Sequence, residues 1–179
     1  VQMDVTGTVK PVFDYVRKRK ADSLPESRVV LPIDPAIDLV VSVNILSQLA
    51  VIPRQYLTAS RPDLPAYAVE DFCRKIVEAH LTWLSDIPAR AVLITDYERI
   101  ECGPGGGIVQ KNILEDIALP PPDARWSWDI APFGAPLGSV FSGVAVRHEV
   151  KAYFDFKQKS RRPGCCIHGD RSRPADDGK

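Results

Sequence analysis

Apolar and polar positions change rhythm several times along this chain. Leu39 to Val43 is a run of five apolar or small residues without alternation, which predicts a strand covered on both faces, as in a parallel α/β sheet. It follows Asp38, turns polar at Asn44 and becomes helix-like through Ile45, Leu46 and Leu49. Polar groups at such an exit lie at the carboxyl edge of the sheet, where open α/β folds take ligands. Ser42, Asn44 and Gln48 are therefore candidate site residues.

The remaining elements follow from the same patterns. Val1 to Asp4 reads as a short strand, with Asp4-Val5-Thr6-Gly7 as a turn or helix cap. Val9 to Lys20 reads as a helix with one stripe of Val9, Val12, Phe13 and Val16, and with cations in its last turn. Val51 to Ala66, interrupted by Pro53, Pro62 and Pro65, reads as a loop long enough to cover a site. Tyr67 to Asp86 carries the clearest helical period, through Val69, Phe72, Cys73, Ile76, Val77 and Leu84. Ala91 to Thr95 is a second apolar strand, closing on Asp96, Tyr97, Glu98 and Arg99. Cys102 to Gly107 is a glycine turn, and Val109 to Leu119 a short helix or mixed segment. Trp126 to Ile130 and Val144 to Phe156 alternate as an antiparallel pair would. This order predicts one α/β domain over residues 1–156, mostly parallel, followed by a disordered tail over 157–179.

Composition adds a few limits. The chain has 179 residues, room for one well-buried domain. Its formal charge of zero argues against nucleic acid or an acidic membrane as partner, although the tail from Lys157 holds seven Lys/Arg against three Asp/Glu. No apolar run approaches the roughly 20 residues that span a bilayer. Cys73, Cys102, Cys165 and Cys166 form no disulfide framework, which points to a reduced, cytoplasmic setting. There is no G-x-S-x-G string, which argues against the common serine hydrolase. The first residue is Val1, and the chain is expected to be trimmed or part of a longer polypeptide.

Taken in order, these strings resemble class I S-adenosylmethionine-dependent methyltransferases. VQMDVTG would match the end of the third strand of that Rossmann-like fold, and DLVVSVNILSQL, Asp38 to Leu49, the fourth strand and its exit. AVLITDYER would match the fifth, and WSWDIAPFG with VRHEVKAYFDF the closing antiparallel hairpin. The resemblance covers about Val1 to Phe156. It implies a sheet truncated at its N-terminal side, because the family's first two strands and glycine-rich cofactor turn would precede Val1. It also implies S-adenosyl-L-methionine as cofactor, with Asp4, Val5, Ser42 and Asn44 near it. Asn44, Gln48 and Asp96 would lie on the side of the methyl acceptor, a small molecule or protein.

Each candidate carries a plainer alternative. Asp4 either accepts from the adenine amino group, as the resemblance implies, or caps the following helix. Asn44 is a ligand contact or a helix cap. Asp96 and Glu98 are general bases or solvated loop charges. His80 belongs with the packing stripe of its helix, and His148 reads as an exposed strand residue. Trp126 and Trp128 share one side of a strand and read as core. Cys165, Cys166 and His168 lack the ligands for a zinc site. The expected activity is methyl transfer to an unidentified acceptor. A non-catalytic remnant or scaffold is the alternative, dimerising across the edge that the absent strands would leave open.

Overall fold

The computed structural model describes residues 4–18, 23–29, 31–102, 108–114, 117–131 and 145–157. It is an α/β structure with three α-helices and a mixed sheet of five strands among these residues. Residues 1–3 of the strand expected at Val1 to Asp4, the glycine turn at 103–107 and the tail from 158 onward lie outside them, Cys165, Cys166 and His168 included.

Helix α1 spans Val9–Lys18 and buries Val12 and Tyr15. It is preceded by Gly7 at φ +64°, where a Cβ would come within 2.3 Å of the Arg28 carbonyl oxygen, so only glycine fits that turn. Strand β1 spans Leu39–Val43 and leads into a 3₁₀ turn at Leu46–Gln48. Helix α2, Val51–Ser60, follows where a loop was expected. Pro53 is the third residue of that helix, inside the first turn, whose N–H groups have no partner within the helix. Only Pro62 and Pro65 fall outside it.

Helix α3, Ala66–Asp86, matches the strongest period in the sequence and buries Phe72, Ile76, Leu81 and Leu84. It stops at Ile87, whose extended backbone (ψ 149°) is what the following Pro88 demands. These residues pack with Leu93, Tyr153 and Phe156, all buried, to form the core.

Strand β2, Arg90–Cys102, is the axis of the sheet. One of its edges carries β1, parallel, beside Arg90 to Ile94, and then β3 (Ile108–Asn112), antiparallel, beside Glu98 to Cys102. The other edge carries β5 (Ala145–Tyr153), antiparallel, and β4 (Ala124–Ala131) pairs with β5 beyond it. The expectation of a mostly parallel sheet is therefore corrected: among the described strand pairings only that of β1 with β2 is parallel. The polar stretch after Thr95 continues β2 instead of ending it, because antiparallel partners tolerate a solvated side. The segment from Val109, expected to be helical or mixed, begins within β3, a strand exposed throughout.

A second correction concerns β1. Val40 is half-buried and Ser42 buried, but Leu39, Val41 and Val43 are 50%, 48% and 47% exposed. Their run without alternation thus reflects one covered side and one open side, on an edge strand of the described sheet. No described helix is long and apolar enough to cross a membrane.

Candidate functional site

Two clefts meet at the 3₁₀ turn beyond β1, and Gln48 lines both. The first, 510 Å³, lies between the start of α1 and α2. Its wall is apolar, from Val9, Phe13, Leu49 and Ile52, with Asp4 and Val5 at its rim. The second, 410 Å³, is polar and is flanked by Ser47, Asp96, Arg99, Glu101 and His148.

At the first cleft Asp4 is already engaged. One carboxylate oxygen accepts from the Thr6 amide at 2.9 Å and the Thr6 hydroxyl at 2.6 Å, and the other from the Val9 amide at 2.9 Å. Partial burial raises its pKa, but the Thr6 hydroxyl and the amides of Val9, Thr6 and Gly7 outweigh it and hold the carboxyl below its ordinary value. The cap of α1 is therefore present in the structure. A carboxylate has room for about four such bonds, so a further donor can still reach Asp4.

Asn44 stands where β1 leaves the sheet. Its backbone is left-handed (φ 52°), a conformation asparagine tolerates better than most residues. Its amide donates to the Ile94 carbonyl at 2.9 Å, while its side-chain Oδ1 is buried and has no hydrogen-bond partner among the described residues. It does not cap a helix. Ser42 is turned away from both clefts: its hydroxyl meets His80 Nε2 at 3.1 Å beneath α3. Pleating explains this, since Ser42 and Val40 share the covered side of β1.

Asp96 is no loop charge. It lies within β2, 5% exposed, and accepts from the Ser47 hydroxyl at 3.2 Å. Its second oxygen is 2.9 Å from His148 Nδ1. His148, read from the sequence as exposed, has a side chain only 13% accessible. The aspartate accepts, so the proton of the neutral ring sits on Nδ1 and Nε2 is left as the basic nitrogen. Among the described residues Nε2 makes no hydrogen bond. Arg99 stands opposite His148 in the ladder and pairs with Glu101 at 2.8 Å. No local motif reveals the Asp96–His148 pair, because its members are 52 residues apart.

His80, by contrast, is 1% exposed, with its Nδ1 unpartnered among the described residues and Trp83 at 5.5 Å between ring centres. Burial pushes its pKa down to about 4, so it is neutral at ordinary pH. Trp126 and Trp128, expected in the core, are 38% and 40% exposed, on the same side of the sheet as Val150 and His148. The structure thus brings Asp4, Val5 and Gln48 to one cleft and Gln48 and Asp96 to the other, and leaves Ser42 and Asn44 outside the lining of both.

Mixed α/β sheets with clefts at their carboxyl edges bind many kinds of small molecule, so the fold alone names no activity. No protein-family model matches the sequence, and no curated protein or solved structure matches it.

Proposed function

We propose that this chain is a Rossmann-like, S-adenosylmethionine-dependent methyltransferase-like protein, with the nucleoside of the cofactor in the apolar cleft. The supporting observation is the 510 Å³ cleft itself, at the carboxyl edge of the parallel β1–β2 pair, with Asp4 and Val5 at its rim. The residues present fit part of the cofactor. The apolar wall suits a purine face, and Asp4 retains acceptor capacity for an amino group. Among the described residues that line this cleft there is no cation to meet the methionyl carboxylate. When bound, the cofactor supplies an electrophilic methyl group. The chain's own part is to hold the nucleoside and to orient the acceptor from the side of Gln48 and Asp96, so that proximity does most of the work. The β4–β5 antiparallel pair beside β2 agrees with the closing hairpin that the resemblance implies.

One observation favours a second reading, a non-catalytic scaffold. Leu39, Val41 and Val43 form an exposed apolar row on an edge strand, the kind of surface that pairs with another chain.

Thermal unfolding with and without S-adenosylhomocysteine separates the two. At about 100 times its dissociation constant a bound ligand adds roughly 2.7 kcal/mol, which raises the midpoint by about 5 to 10 °C in a chain of this size. That shift is the expected result. A cooperative melt with no shift, from a species sedimenting as two chains, would replace the methyltransferase reading with the scaffold.

A further inference from the structure

We infer that His148 is the general base of the polar cleft, held in place by Asp96, and that the group it deprotonates is the hydroxyl of a small-molecule acceptor. This deepens the methyltransferase reading and rests on it for the fate of the activated oxygen. The proton transfer itself does not.

The geometry comes first. Asp96 Oδ2 fixes Nδ1 at 2.9 Å, and the Ser47 hydroxyl fixes the other oxygen at 3.2 Å, so the carboxylate cannot swing away from the ring. Neither Asp96 nor His148 is open to bulk water, with side chains 7% and 13% accessible. Both nevertheless line a 410 Å³ cleft, a volume within the range of small-molecule sites. A carboxylate behind a histidine sets the tautomer and stabilises the imidazolium formed on proton transfer. Asp96 is thus a positioning residue, and Nε2 is the atom offered to a substrate.

The substrate group is a hydroxyl small enough to enter the cleft, since a histidine backed by a carboxylate takes the proton of a reacting hydroxyl. Trp128, half-exposed, is directly opposite His148 in the ladder. In the step, the acceptor's O–H bond breaks, its electron pair stays on oxygen, and the proton forms the Nε2–H bond. The imidazolium is balanced by the Asp96 carboxylate. The other groups in its row are Arg99 on β2, already paired with Glu101, Lys111 on β3, which lines the same cleft, and Trp128 on β4, which carries no charge. Arg147 and Glu149 precede and follow His148 on β5 and alternate to the opposite side.

The full chain and 4-nitrophenol test this, because the ionised probe absorbs visible light. At a pH just below the probe's own midpoint, wild-type protein should raise the phenolate band saturably, and His148→Gln should abolish the rise. Asp96→Asn should weaken apparent phenolate binding about tenfold, the effect of one lost charge-assisted hydrogen bond. Nitrogen NMR of unmodified protein gives an independent reading even if a variant does not fold: neutral His148 should carry its proton on Nδ1. No saturable band, or a proton on Nε2, would overturn the assignment. A band without stabilisation by S-adenosylhomocysteine would keep the base and remove the donor.

Discussion

Two histidines bond to partners on neighbouring strands of the same sheet, and their surroundings make them different groups. His80 reaches from α3 to the Ser42 hydroxyl on β1, in a dry layer with Leu93 and Tyr153. His148 reaches from β5 to the Asp96 carboxylate on β2, beside a polar cleft. A neutral hydroxyl cannot offset the loss of water around an imidazolium, so His80 is held neutral and serves packing. The second ring instead has a carboxylate behind its Nδ1, the arrangement that orients a histidine toward a substrate. The identity of the partner, more than burial by itself, separates the two histidines.

The largest way to test that contrast is Leu93→Ala. Leu93 is fully buried and lies beside Ser42 in the ladder, so the change should cost about 2–5 kcal/mol in denaturant unfolding. The nitrogen shifts of His148 should stay put; if they move as much as those of His80, the two regions are one cooperative unit.

Acid gives the next effect. His80 has an ordinary value of 6.5 and a folded value of about 4, so between these the unfolded chain binds the extra proton. Stability is full above pH 6.5 and falls as the pH drops toward 4, by roughly 3 kcal/mol if the whole shift is expressed. His80→Gln should flatten that part of the pH profile, and an unchanged slope would assign the acid sensitivity elsewhere.

The smallest change is Ser42→Ala, which removes one buried hydrogen bond and should cost about 1–2 kcal/mol. Its effect on S-adenosylhomocysteine binding should be nil, because the hydroxyl points beneath α3. Weakened binding would restore Ser42 to the cofactor side and undo the contrast.

Much of this was legible from local pattern. Leu39–Val43 has the expected bounds, and α3 differs from its expected span by a single residue at its start, because β-branched runs and 3.6-residue periods are written in the core-facing side chains themselves. Helix α2 was hidden by Pro53, whose meaning depends on a position in the first turn that composition does not reveal. The strand nature of Ile108–Asn112 was hidden by polarity, since its pairing with β2 is made by backbone groups. The site was legible only in part. Asp96 and Gln48 stand out as polar residues after apolar runs, but whether Asp96 meets water or a histidine is decided by strand pairing across 52 residues. The resemblance placed Ser42 at the cofactor, where its neighbours in sequence offered no sign of which side it would face.

The pairing of β2 with β5 slips by one residue between Asp96 and Glu98. Up to Asp96 the ladder runs in one register, and from Glu98 onward in the next, with Tyr97 as the extra member. Continued without the slip, the first register would set Glu98 against His148 and Arg99 against Arg147, an acid at the ring and two guanidinium groups side by side. As built, Arg99 stands by the ring and Glu98 meets Glu149 on the opposite side. The charges at the mouth of the cleft are thus sorted by a count of residues, and removing the slip would rearrange them without altering a single side chain.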